Sequence, residues 1–311
     1  MLPALVLHAD WSTDARKRWF ASATLRDGVY HISVPLQADA DTLVESALRQ
    51  AKGKNAIVGF DFPIGLPSAF AHKAGIDNFL DALPAFGQGR WQHFYQIASR
   101  PSEISIERPF YPARPGGTRQ EHLVQGIGVE SMDSLLRRCD FGNGHRNKAC
   151  SLFWTLGGNQ VGRAAIAGWR QVLVPAVRAF GSAVGVWPFT GSAHSLLATH
   201  SCVITETYPA DACVQLGLSR PGHGWSKRKQ QDRIAQGRKL QEWAKTRPVD
   251  LHQVKDSLDD GLGSESIGED RFDAVVGLFG MLDVVLGHRT EGTPPDEAVR
   301  TVEGWILGQR P

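Results

Sequence analysis

The chain has 311 residues, of which 42% are apolar and 21% are charged, and its formal net charge is +2. This composition excludes a disordered or fibrous protein, and the length allows one large domain or a core with an insertion. There is no run of about 18 uncharged apolar residues, and the first apolar run meets His8 and Asp10 too early for a secretory signal. We therefore expect a cytoplasmic protein with no membrane contact.

The opening of the chain predicts three antiparallel strands, a helix and a fourth strand. A short apolar run ends at Asp10, and two strand-like runs flank Asp27-Gly28, a dipeptide typical of tight hairpins. A later apolar run ends at Asp61. The predicted strands are residues 3–9, 18–25, 29–34 and 56–61, and the predicted helix is 39–52.

From about residue 68 to residue 200 the pattern changes to helices mixed with loops rich in proline and glycine. Within this insertion, residues 163–180 predict an amphipathic helix with a kink at Pro175, and residues 183–188 predict a short strand. The four cysteines form no CxxC pair, so neither a zinc site nor a disulfide framework is favoured, and we expect buried thiols.

The last third of the chain begins with another strand-like run, 201–206, which ends at Glu206. Residues 226–246 predict a polar, basic helix on the surface, and residues 269–287 predict a helix in which Gly277 and Gly280 allow close packing on a sheet. A final short helix is predicted at 295–307.

Carboxylates recur at the ends of the predicted strands, at Asp10, Asp61 and Glu206. Side chains at neighbouring strand ends converge on one edge of a sheet, and packed acids repel one another unless a cation compensates them. Asp270 and Asp273 lie on one side of their helix and can reach the same edge. Such oxygen-rich sites suit Mg²⁺ or Mn²⁺, and the leading hypothesis is that Asp10 and Asp273 share one ion while Asp61 and Glu206 hold another.

Basic residues are the candidate contacts for a nucleic-acid partner, although the small net charge does not itself indicate one. They concentrate in the ranges 100–119 and 227–239, with further arginines between them. The proposed substrate contacts are Lys227, Arg228, Arg114 and Arg119, and further candidate phosphate contacts are Arg137, Arg138 and Arg146. For the basic helix, a solvated surface is an equally good interpretation.

Four segments in this order, HADWS, GFDFPIGLP, ETYPA and EDRFDAVVG, resemble the domain-of-unknown-function family 429 of predicted ribonuclease-H-like nucleases. The resemblance implies an α/β fold: a ribonuclease-H-like, mixed five-stranded sheet with the first three strands antiparallel, helices on both faces and a large insertion. It implies an acidic site at Asp10, Asp61, Glu206 and Asp273, with Lys227 where a basic residue often appears. The core would comprise 1–67 and 201–311, separated by the insertion at 68–200.

Two other functions remain open beside a metal-dependent nuclease that cuts a phosphodiester. The first is an ATPase or phosphotransferase related to sugar kinases, whose strand-end acids hold a metal-nucleotide complex. The second is a non-catalytic binding or regulatory protein whose acids serve as structural caps.

Overall fold

The computed structural model describes residues 2–142, 147–157, 160–218 and 224–311. Eight strands in these ranges form one mixed sheet in the order β6-β7-β5-β1-β2-β3-β8, with β4 paired to β2. The strands are β1 (Leu5–Asp10), β2 (Trp19–Arg26), β3 (Val29–Ile32), β4 (Leu36–Gln37), β5 (Ala56–Phe60), β6 (Val184–Val186), β7 (Cys202–Glu206) and β8 (Val249–Asp250).

Strand β2 is antiparallel to β1, β3 and β4, whereas β1 with β5, β5 with β7, β6 with β7 and β3 with β8 pair in parallel. The predicted antiparallel opening of three strands is therefore confirmed. The predicted number of five strands is wrong, because β6 extends one edge of the sheet and the two-residue strands β4 and β8 add pairing near the other. The two-residue strands β4 and β8 carry too little sequence pattern to be recognised.

Eleven α-helices lie in the described ranges, and none combines the length and the apolar composition needed to cross a membrane. They are α1 (Leu43–Gln50), α2 (Ser68–Ala74), α3 (Phe79–Ala82), α4 (Glu121–Ile127), α5 (Val161–Gly168), α6 (Val174–Phe180), α7 (Ala193–Thr199), α8 (Pro209–Gln215), α9 (Gln230–Lys245), α10 (Lys255–Asp259) and α11 (Glu265–Val285). Short 3-10 helices occupy Ala15–Lys17, Leu83–Ala85, Gly89–Trp91, Pro101–Glu103, Met132–Leu135, Arg138–Asp140 and Gly181–Ala183, and π-helical segments occupy Trp169–Leu173 and Val299–Glu303.

The sheet separates two hydrophobic cores, because alternate side chains of a strand point to opposite faces. In β1, Leu5 and Leu7 belong to the core that contains α1 to α6, while Val6 belongs to the core beneath α7, α8, α9 and α11. The parallel central strands are buried on both sides, which explains their almost continuous apolar sequences. Helices thus cover both faces.

The turn between β2 and β3 has positive φ at both central residues, 49° at Asp27 and 79° at Gly28. A two-residue hairpin turn of the favoured hand requires this conformation, which glycine adopts freely and aspartate tolerates. The hairpin predicted from Asp27-Gly28 is confirmed.

Three predicted helices differ from the structure. The stretch from α5 to α6 stays helical through the π-helical segment Trp169–Leu173, which directly precedes the turn holding Pro175. The helix predicted at 226–246 begins later, as α9, and is not a purely solvated surface helix, since it buries Arg233 and Gln236 beside its apolar residues. The helix predicted at 295–307 is reduced to Val299–Glu303, after which Gly304, with a φ of 71°, redirects the chain.

Candidate functional site

Three parallel strands deliver acids to the same edge of the sheet. Ala9 of β1 pairs with Phe60 of β5, and Phe60 pairs with Glu206 of β7, so the three strands end at one level. Asp10 closes β1 and Asp61 follows β5 directly. All three acids line a cavity of about 910 Å³, together with Asp270 and Asp273 of α11.

Asp10 and Asp61 form the centre of the cluster. The backbone N–H of Trp11 donates to Asp61 Oδ1 at 2.7 Å. Burial raises the pKa of Asp61 to about 7. Burial, followed by the charges of Asp61 and Asp273, raises the pKa of Asp10 well above its usual range. Asp10 is therefore costly to ionise beside an ionised Asp61.

Asp273 reaches the cluster because α11 packs tightly across β1. A Cβ atom at Gly277 would lie 2.2 Å from His8 Cε1, so only glycine lets the helix approach the buried imidazole. Burial lowers the pKa of His8 to about 4, which keeps the ring neutral, and Nδ1 then donates to the carbonyl of Ala274 at 3.1 Å. This contact fixes the residue next to Asp273. The close packing predicted for Gly277 is confirmed, whereas Gly280 faces Ala212 of α8 rather than the sheet.

The Lys227 ammonium lies inside the acidic cluster and forms a short ion pair with Asp273. It is also 3.6 Å from Glu269 Oε1. Burial by itself would lower the pKa of Lys227, but Asp273 and Asp10 raise it above its usual value. Lys227 is therefore a permanent cation of the site. The structure brings it together with the acids, as the sequence predicted.

Asp270 stands at the rim, where burial raises its pKa to about 6 and the charge of Lys17 opposes that shift. Arg228 is also at the rim, with 84% of its side chain exposed and its Nε 3.8 Å from Glu269 Oε2. Lys17 is exposed and lines the cavity, yet it was missing from the predicted contacts. Its only signal is a basic residue soon after the first strand-end acid.

Glu206 lines the same cavity but is held by a different partner. Both its oxygens accept from Arg137, at 2.6 Å from Nη1 and 2.7 Å from Nη2, and Oε2 also accepts from the Ile64 N–H at 2.7 Å. Arg137 forms a second ion pair with Asp140 at 2.9 Å. The arginine and the glutamate are at most 5% exposed. This network neutralises the charge of Glu206 and occupies both of its oxygens, so an ion at the predicted ligand position would have to compete with Arg137.

The same network removes Arg137 from the candidate phosphate contacts, because its guanidinium is fully committed to buried carboxylates. Arg138 is 2.7 Å from Asp296 and lines a different cavity, of about 470 Å³. Two other candidates, Arg114 and Arg119, are exposed and are not among the described residues that line the acidic cavity. Arg146 lies outside the described residues.

All four cysteines are free thiols, as predicted. Cys139, Cys202 and Cys213 are buried, whereas Cys150 is exposed beside the acidic cavity, so the expectation of four buried thiols is wrong at that position. Cys150 follows the loop-rich part of the insertion, where no apolar periodicity forecasts burial.

The donor chemistry of Asp10, Asp61 and Asp273 fits a hard divalent cation such as Mg²⁺ or Mn²⁺, because all the donors are carboxylate oxygens. The raised pKa values of Asp10 and Asp61 point the same way, since a cation would relieve the cost of ionising both groups. In the arrangement described, however, no group of three or more His, Cys, Asp or Glu side chains is positioned to hold an ion. Asp273 is instead paired with Lys227.

Comparison of the chain with models of protein families, with curated proteins and with solved structures found no match.

Proposed function

We propose that the protein is a metal-dependent phosphodiester hydrolase that acts on nucleic acid, built on a ribonuclease-H-like core. The observation that carries the proposal is the convergence of Asp10, Asp61 and Asp273 beside Lys227 in one open cavity. Each acid comes from a different element of the core, which is an arrangement suited to binding an ion and less suited to capping local turns.

The topology supports the choice of core. The strands β3-β2-β1-β5-β7 are consecutive in the sheet, and of these only β2 runs against the others. This is the mixed sheet with an antiparallel opening that the sequence resemblance implies. In this interpretation β4, β6 and β8 are additions to the core.

The residues of the chain have separable tasks in the proposed reaction. Asp10, Asp61 and Asp273 would hold Mg²⁺ or Mn²⁺, which when bound supplies a Lewis acid that activates water and neutralises phosphate charge. The exposed cations Lys17 and Arg228 stand at the rim, where they would attract and orient a phosphate backbone.

The Glu206 and Arg137 pair would give the cavity a rigid wall. Because both groups are hydrogen-bonded and buried, this wall would keep its shape when substrate enters. It would neither bind metal nor contact phosphate.

The test is cleavage of labelled single-stranded, duplex, hybrid and branched nucleic acids in Mn²⁺ or Mg²⁺, with Mn²⁺ binding measured by calorimetry on the same preparations. We expect Asp61→Asn to lose both cleavage and Mn²⁺ affinity. The matched control is Asp14→Asn, which removes an acid from the same cavity that is already paired with Arg16 at 2.9 Å. That variant should keep both properties.

Absence of cleavage together with absence of Mn²⁺ binding in the wild-type protein would refute the proposal and favour a non-catalytic scaffold. Release of phosphate from ATP, without cleavage of any nucleic acid, would favour the phosphotransferase alternative.

A further inference from the structure

We infer that Lys227 supplies one of the two positive centres of the site, so that the cluster binds a single divalent cation and not a pair. The inference rests on the proposed function, because it concerns the ion that Asp10, Asp61 and Asp273 would hold. It starts from the position of the Lys227 ammonium, which contacts Asp273 within the cluster.

Hydrogen bonds hold the stretch of backbone from which the Lys227 side chain extends. The carbonyl of Lys227 accepts a hydrogen bond from Arg233 Nη1 at 2.6 Å, and the neighbouring N–H of Ser226 donates to Asp232 at 2.8 Å. Arg233 is fully buried and also donates to the carbonyls of Gly261 and Gly263, each at 2.8 Å. Lys227 is thus anchored at its main chain, unlike a surface lysine.

Arg233 also ties this segment to the helix that carries Asp273. A Cβ atom at Gly268 of α11 would lie 2.2 Å from Arg233 Nη2, so the guanidinium packs directly on the helix. Since Arg233 contacts both α11 and the carbonyl of Lys227, it holds the backbone of Lys227 beside the helix that carries Asp273. The ion pair is therefore a built feature of the site.

The balance of charge allows one divalent ion beside this lysine. Asp10, Asp61 and Asp273 carry three negative charges when ionised, and the Lys227 ammonium with one divalent cation supplies three positive charges. A second divalent cation would add two positive charges that no carboxylate neutralises. Uncompensated charge in a partly buried site destabilises the bound state. The rim acids Glu269 and Asp270 do not supply the missing charge, because the exposed cations Arg228 and Lys17 act on them.

The test is the stoichiometry of Mn²⁺ binding to the full metal-free chain, measured by calorimetry and by electron paramagnetic resonance. We expect one Mn²⁺ per chain for the wild type, with no exchange coupling between ions. We expect two coupled Mn²⁺ per chain for Lys227→Met, which opens the second position, and a return to one for Lys227→Arg. The matched control is Lys255→Met, which removes an exposed ammonium that lies away from the cavity and is paired with Asp259 at 2.6 Å, and which should leave one Mn²⁺.

Two coupled Mn²⁺ ions in the wild type would overturn the inference and leave the proposed function standing. The same inference fails if Lys227→Met still binds one ion in a folded state. No Mn²⁺ binding by the wild type would overturn both proposals. Because the wild-type stoichiometry alone can refute the inference, the test does not depend on the stability of Lys227→Met.

Discussion

The substitution Glu206→Gln tests whether Glu206 is a structural acid or a metal ligand. Glutamine keeps the size of the side chain, but it removes the charge and turns one acceptor oxygen into a donor that faces another donor. Arg137, whose side chain is 1% exposed, would then keep only Asp140 as a charged partner. Removing one partner of a buried ion pair costs about 3–5 kcal/mol, and because Asp140 remains we expect about 3 kcal/mol.

The loss is measured as the change in the free energy of urea unfolding, followed by tryptophan fluorescence. The matched control is Glu45→Gln, which breaks an exposed pair with Arg49 at 3.3 Å and should cost no more than about 0.5 kcal/mol. Mn²⁺ affinity should be unchanged in both variants. A Glu206→Gln protein with wild-type stability and greatly weakened Mn²⁺ binding would refute this reasoning and restore Glu206 as a ligand.

Three further predictions concern Asp61, Gly277 and His8. Asp61→Asn should stabilise the metal-free protein by up to about 4 kcal/mol at pH 8, because burial raises the pKa of Asp61 from 3.8 to about 7 and an amide still accepts from the Trp11 N–H. A variant that is less stable than the wild type in urea unfolding would contradict this. Gly277→Ala should cost about 3 kcal/mol by the same measurement, since its Cβ would overlap the His8 ring, and an unchanged midpoint would show that the helix can shift. The pKa of His8 is lowered to about 4 in the folded state from 6.5, so its contribution is complete above pH 6.5 and declines as pH falls toward 4, by about 3 kcal/mol in total. The difference in unfolding free energy between wild type and His8→Asn should follow this curve, and a difference independent of pH would show that folding does not shift the pKa of His8.

The acids of the site were predictable where the information is local. Asp10 and Asp61 each end an apolar run, and parallel strands of similar length bring such ends together. Asp273 required only the helical period of its segment. These features depend on neighbours in the sequence, so composition and spacing were enough to identify them.

The role of Glu206 was not predictable in the same way, because it depends on a distant partner. Glu206 ends its strand as the two aspartates do, but Arg137 meets it from the insertion, 69 positions away in the chain. The burial of Arg233 was not predictable for a similar reason. It stands in a strongly polar helix, yet it is buried by carbonyls from the loop before α11. Tertiary contacts, and not local pattern, decide which polar residues are buried.

The two kinds of basic partner explain why acids in similar positions have different roles. Arg137 binds both oxygens of Glu206 through its planar guanidinium, and this bidentate pair neutralises the charge that would attract an ion. Lys227 is a point charge that contacts Asp273, and its effect on Asp10 and Asp61 is too small to offset the burial that raises their pKa values. The fold thus neutralises the acid at the end of β7, whereas the charges of the acids at the ends of β1 and β5 are only partly compensated. Burying Asp10 and Asp61 side by side destabilises the metal-free protein. Neutralising Asp61 should therefore raise the free energy of unfolding of that form.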